Sequence, residues 1–258
     1  MPSDKSIIAW GQNPAWGHWE QRAFYVHPET KLDVPIAIDT TEPFELHIGS
    51  GSRLIFCDAG HEWVCYMEAD SYLYHLGTAR KAHFILDARA TLIHKNIIQT
   101  PALEISEIQI DLNQKEARVA WGDGVSLQQT ENYRQTIKIE HFAPHTHSEC
   151  CLKSIIHDSG NLNFTCDVFI HENAAQSTAH QKNLNHILSQ QGHVTALPRL
   201  HIFNKAIRAS HGTATQPIPE ETLFYLQSRG LSRQQAEQLY LESFFQEFYP
   251  KFLHNDGE

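Results

Sequence analysis

The densest collection of metal-ligating side chains in the chain is the stretch His141–Phe142–Ala143–Pro144–His145–Thr146–His147–Ser148–Glu149–Cys150–Cys151. On a strand, His145 and His147 share a face, so both imidazoles could reach one ion, with Cys150 or Cys151 completing a tetrahedral set. Three observations weaken that chemistry. A jelly-roll metal motif that begins His-x-His needs a glutamate four or five residues further on, and those positions hold Cys151 and Leu152. A structural zinc site would pair the cluster with a second Cys/His pair at short spacing, and His157 and Cys166 do not form one. Adjacent cysteines on a strand also point to opposite faces. The spacing therefore favours a turn leading into a strand at Cys151–Ile156. A metal-dependent or carbohydrate-active enzyme using His141, His145 and His147 is the competing expectation, and no carboxylate pair is spaced for acid–base work.

Composition narrows the remaining classes. The 258 residues carry a formal charge of −10 and no run of Lys or Arg, which argues against a nucleic-acid partner. No stretch approaches eighteen apolar residues, and the start lacks a signal pattern, so a soluble cytoplasmic chain without membrane contact is expected. Five cysteines at irregular spacing suit a reducing compartment. Histidine is abundant, at 18 residues.

The elements that must position these groups are mostly strands. Phe44, Leu46 and Ile48, then Trp63, Cys65 and Met67, then Ile108, Ile110 and Leu112 alternate with polar neighbours, the period of a half-buried strand. Such runs recur about every ten residues from 34 to 209, broken at Gly49–Ser52, Asp58–Gly60, Trp121–Gly124 and His157–Asn161. Many short strands without helices between them give a sandwich, a barrel or a solenoid. Trp10, Trp16 and Trp19 are expected to cover an open edge of the core. Residues 220–252 change period and predict two helices. The first stops at Gly230, suited to a left-handed position after the helix. The second starts at Ser232 with a capping box to Gln235. Its stripe of Ala236, Leu239, Tyr240, Phe244 and Phe248, ending before Pro250, is widened by Leu241, Phe245 and Phe252 beyond one face. That width suggests a docking surface as well as a packing one.

With its flanks the histidine stretch follows another pattern: His141, Ala143, Pro144, Thr146, Ser148 and Lys153. The pattern continues through Gln181 and Asn185, then Pro198 and Leu200, and on into Ala209–Ser210–His211–Gly212 and the run from Glu220 to Gly230. As a set these motifs resemble the SufB/SufD family of iron–sulfur cluster assembly proteins, on the SufD side. The resemblance implies a mainly β fold, a right-handed parallel β-helix with a small C-terminal helical domain. The corresponding division is 1–33 as an end cap, 34–216 as the β-helix and 217–258 as the helical domain. It further implies a non-catalytic scaffold that pairs with a SufB-type subunit and docks a SufC-type ABC ATPase, with a homodimer possible for the isolated chain. His211 would then be a ligand to a transient iron–sulfur cluster shared with the partner, and Phe224, Tyr225, Leu226 and Arg229 would contact the ATPase. The chain has no Gly-x4-Gly-Lys-Ser/Thr loop, so ATP would bind the partner. Two departures from the family pattern stand out: Ala209 replaces the cysteine before Ser-His-Gly, and strands are expected within about forty residues, where the family has a helical region.

Overall fold

The computed structural model describes residues 6–9, 11–99, 101 and 103–246. Trp10, Phe248, Pro250 and Phe252 lie outside the described residues. Among the described residues, eighteen strands precede two helices. The first nine strands are β1 (Ser6–Ala9), β2 (Gly17–Glu20), β3 (Ala23–Val26), β4 (Ile36–Asp39), β5 (Phe44–Ile48), β6 (Arg53–Ala59), β7 (Glu62–Met67), β8 (Tyr72–Thr78) and β9 (Lys81–Leu86). The next nine are β10 (Thr91–Gln99), β11 (Ile105–Leu112), β12 (Arg118–Leu127), β13 (Asn132–His141), β14 (His147–Ile156), β15 (Asn161–Ile170), β16 (Thr178–Ile187), β17 (His193–Ile202) and β18 (Arg208–Gln216). The helices are α1 (Glu220–Ser228) and α2 (Arg233–Gln246).

From β4 onward, successive strands alternate between two nine-stranded sheets. One runs β1-β4-β6-β8-β10-β12-β14-β16-β18 and the other β2-β3-β5-β7-β9-β11-β13-β15-β17. Every pairing is parallel except the β2–β3 hairpin. The result is a parallel β-solenoid of about seven turns. Its core lies between the sheets, and the alternation expected from sequence puts Phe44, Leu46, Ile48, Trp63, Cys65, Met67, Ile108, Ile110 and Leu112 inside. Trp16 and Trp19 pack edge-on against Phe24 at the β2–β3 end.

Successive strands are in register, so side chains form columns along the solenoid. One inward column runs Phe56, His75, His94, Trp121, Cys150, Gln181, His211. A corner is equally repetitive: Asp70, Arg89, Glu116, His145 and Gln176 all adopt positive φ, between 58° and 65°. Each hands its amide to a carbonyl of the next rung, as from His145 to Ala175. None of the five is glycine, so the stacked hydrogen bonds offset the cost of the left-handed conformation.

Two sequence expectations are corrected here. Trp121–Gly124 is no turn but the middle of β12. Gly124 serves close approach instead: a Cβ there would meet Phe245 at 2.8 Å. The strand after the histidine stretch begins at His147, earlier than Cys151, because Ser148 and Cys150 already point inward.

Candidate functional site

The last rung, β17 and β18, is the open end of the solenoid. Among the described residues no strand pairs with the outer edge of either. Parallel register places His211 on the inward column directly over Gln181, yet with no rung above it the residue is exposed. Ala209, two residues earlier, is half-buried against the core. In β17 the inward Val194, Ala196, Pro198 and Leu200 are likewise only half-buried.

The rung beneath is built to hold this end flat. Gln181 is buried and donates from Nε2 to the Cys166 carbonyl (3.0 Å) and to the Arg199 carbonyl (3.4 Å), tying β16 to the opposite sheet. Asn185 accepts from Ser154 Oγ (2.8 Å) and donates to Thr215 Oγ1 (3.2 Å), clamping β14 through β18. Gln181 and Asn185, noticed in sequence only as motif positions, are the positioning residues of the open rung.

The histidine stretch is structural. Burial pushes His141 down to about 3, with His147 and His171 adding to the effect, so its ring is neutral. Its Nδ1–H donates to Thr146 Oγ1 (2.8 Å), and Ser148 Oγ donates to its Nε2 (2.8 Å). Thr146 in turn donates to the Ala143 carbonyl (3.0 Å) and accepts from Ser177 (2.7 Å). These bonds close the corner at which His145 takes φ 60°. His141 is enclosed, His145 is exposed on the corner, and His147 contacts Thr178 on the next rung. Cys150 faces inward and Cys151 outward, and all five cysteines are free thiols. No group of three or more His, Cys, Asp or Glu among the described residues is arranged to hold a metal ion. The three histidines of the enzyme alternative are therefore not brought together.

The helices form a second surface. Gly230 takes φ 96° after α1, and Ser232 and Gln235 make both capping-box bonds, at 2.9 and 3.3 Å. Ile218, Leu223 and Ala236 make a small core, with Leu226 and Tyr240 packed against it. Tyr240 Oη meets His186 Nε2 at 3.0 Å. The buried Lys153 donates to the Phe244 carbonyl (2.6 Å) and lies over the Phe244 ring. Phe245 is buried over Gly124. The apolar stripe thus docks α2 on the first sheet, with one correction: Leu239 is 47% exposed and faces away from that contact. Phe224 and Tyr225 are 74% and 56% exposed, Arg229 stacks over Tyr225, and Leu226 belongs partly to the small core. Among the described residues no helix is long and apolar enough to cross a membrane.

A family model described as "SUF system FeS cluster assembly, SufBD core domain" matches residues 40–244. The iron–sulfur cluster assembly protein SufD of Escherichia coli is 28% identical over 106 residues, 41% of this chain and 25% of that protein. The chloroplastic protein ABCI7 of Arabidopsis thaliana is 31% identical over 126 residues, 48% of this chain and 26% of the relative. A SufBD family protein of Mycobacterium leprae is 35% identical over 86 residues, 33% of this chain and 22% of the relative. The matched region spans about a quarter of the length of these relatives.

Proposed function

The chain belongs to the SufBD family of iron–sulfur cluster assembly proteins, and from that premise we propose that it is a non-catalytic, SufD-like scaffold subunit. Its open rung pairs with a SufB-type subunit, and its helical end docks a SufC-type ATPase that binds the ATP. The observation that carries this reading is the uncovered β17–β18 rung. A sheet edge presents unpaired N–H and C=O groups and normally needs covering or charged blockers. Here β18 carries Arg208 at its first position, and from Ala209 to Gln216 it has no Lys, Arg, Asp or Glu. A second solenoid stacked on this end would continue both sheets and bury the half-exposed inward column.

His211 stands at the centre of that surface. A neutral imidazole is a borderline ligand for iron and replaces a thiolate without adding negative charge. Among the described residues no group of three ligating side chains surrounds it, so a cluster held there would be cargo shared across the interface, with further ligands from the partner. Ala209 in the family's cysteine position leaves His211 as this rung's ligand. Phe224 and Tyr225, with Arg229, offer an exposed aromatic and cationic surface for the ATPase, while Leu226 supports it from the small core. The division at 34 and 217 follows the same logic: the described part of the first segment closes one end of the sheets with the β2–β3 hairpin, the solenoid offers the other end, and α1 and α2 lie to one side. A reducing cytoplasm suits the free thiols and a labile cluster, and an isolated chain could pair with itself through the same rung.

Co-expression with SufB-type and SufC-type subunits, followed by native mass determination through a tag on this chain, tests the reading. We expect a complex containing all three, and loss of the ATPase alone when the chain is truncated after Gln216. Absence of any association would overturn the scaffold reading.

A further inference from the structure

Beneath the open rung, β16 turns three amides into the core: Gln181, Asn183 and Asn185 are all 3% or less exposed. Parallel register sets each directly under a polar inward residue of β18, in the pairs Gln181–His211, Asn183–Thr213 and Asn185–Thr215. One pair is joined, since Asn185 Nδ2 donates to Thr215 Oγ1 at 3.2 Å. Each of the other two amides keeps one buried atom without a hydrogen-bond partner, Gln181 Oε1 and Asn183 Nδ2. The two needs are of opposite sign, and the residue above each can meet its own. The Thr213 hydroxyl can accept from Asn183, and an imidazole N–H of His211 can donate to Gln181. Resting on the reading of His211 as a cluster ligand, we propose that Gln181 is its positioning residue. Oε1 takes the Nδ1 hydrogen of the ring and leaves Nε2 bare, facing the partner.

The amide cannot be turned the other way round. Gln181 Nε2 is surrounded by acceptors: the Cys166 carbonyl (3.0 Å), Cys166 Sγ (3.3 Å) and the Arg199 carbonyl (3.4 Å). An oxygen in that place would face two carbonyl oxygens, so the donor end is fixed and Oε1 is the acceptor left over. The other neighbour in the column is Cys150, on the rung below. A thiol is a weak donor, and this one meets Cys166. That leaves the ring above. An orphaned acceptor in the core is costly, so a donor delivered to it is held.

Which nitrogen carries the hydrogen decides what His211 can do. A neutral imidazole has one N–H and one lone pair, and only the lone pair binds iron. Ligating histidines almost always give their other N–H to a fixed acceptor, which sets the tautomer, aims the ring and raises its basicity. A histidine side chain free in water favours the hydrogen on Nε2. That is the wrong nitrogen here, because Nε2 is the tip of the ring and has room for an iron, whereas Nδ1 lies beside its own strand. In the free chain the ring stands in water. A second solenoid laid on the rung would strip that water away and press the ring onto Gln181.

Solid-state nitrogen-15 NMR reads the tautomer in the three-subunit complex before cluster assembly. The complex is reconstituted from separately expressed subunits with histidine labelled in this chain alone, and His211→Gln assigns the signal. We expect Nδ1 protonated and Nε2 bare in the wild type, and a shift toward the Nε2–H form in Gln181→Leu. Gln181→Glu should restore the wild-type pattern, because its carboxyl keeps an acceptor while losing the Nε2 donor. Iron titrations should show a loss of about 10–100-fold in affinity for Gln181→Leu, with the native mass of the complex unchanged. If Gln181 matters only through its Nε2 ties, the Leu and Glu variants will be equally impaired, and the proposal falls. It falls as well if the wild-type complex holds His211 as the Nε2–H form. Should neither Gln181 variant fold, the wild-type tautomer decides alone. Failure of any complex to form would overturn the scaffold reading and this proposal together, whereas a complex with the wrong tautomer removes this proposal only.

Discussion

Strands β12 and β18 belong to one sheet, are almost equal in length and lie three turns apart, yet they have opposite fates. In β12 nine of ten residues are buried, among them a charged aspartate; in β18 eight of nine are exposed, among them a histidine on the inward column. The difference is not one of local pattern. β12 is stacked between β10 and β14 and is overlaid by Phe245 of α2, whereas β18 has β16 on one side and, among the described residues, no strand on the other. In a solenoid each rung is buried by its neighbours, so a terminal rung keeps one face of its inward column exposed. The same column of side chains therefore serves as core in the middle and as surface at the end.

The contrast is sharpened most by Asp123→Ala in β12. It strands the donors of His94, Trp121 and Gln135 in the core and should cost about 3–5 kcal/mol, the usual penalty for breaking a buried pair. Urea denaturation measures it, and a loss under about 1 kcal/mol would mean that β12 is not the closed structure described. Gly124→Val comes next. It forces Phe245 off the sheet and should cost about 1–3 kcal/mol, as overpacking usually does. Amide exchange should speed up in α2 while the β17–β18 rung is unaffected.

A smaller effect is expected from alkaline pH. His61 gains Asp58 on folding and its value rises above 6.5, so its stabilisation is complete below that pH and is lost as pH climbs through the folded value. Thermal melts of wild type and His61→Gln should diverge most below pH 6.5 and converge in alkali. Least of all, in the isolated chain, should be His211→Ala and Phe224→Ser. Both sit at exposed positions and should stay within about 0.5 kcal/mol of wild type. Under the proposed function they nonetheless separate cleanly. His211→Ala should abolish cluster build-up on the three-subunit complex, followed by visible absorption, and Phe224→Ser should weaken retention of the ATPase.

Much of this was legible in the residues. Alternation at Phe44–Ile48 and Ile108–Leu112 gave strands, and Gly230 with the Ser232–Gln235 box gave the helix boundaries, because each is a local signal. The histidine stretch was expected to be a turn rather than a ligand set, and it is the corner that its spacing satisfies. His141 bridges Thr146 and Ser148 only after the chain has turned. Trp121–Gly124 suggested a turn since glycine that admits a packed phenylalanine looks no different, in sequence, from glycine that bends. The array of Asp58, His75, His94 and Asp123 buried between the sheets was not read at all. Its members are 17, 19 and 29 residues apart, and only the rung register brings them together. A signal was present nonetheless, in ionisable residues at inward positions of otherwise apolar alternating strands. His211 was reached through family motifs, and its exposure came from the absence of a rung above it, which no local pattern encodes.

Hydrogen exchange on β17 and β18, with and without the SufB-type subunit, probes the open rung most directly. For the free chain the account predicts rapid exchange along the outer edge of β18 and slow exchange throughout β12. Adding the partner should protect amides from Ala209 to Gln216 and leave β12 unchanged. If the partner binds while the β18 amides exchange as fast as before, the open rung is not the pairing surface, and the central claim fails.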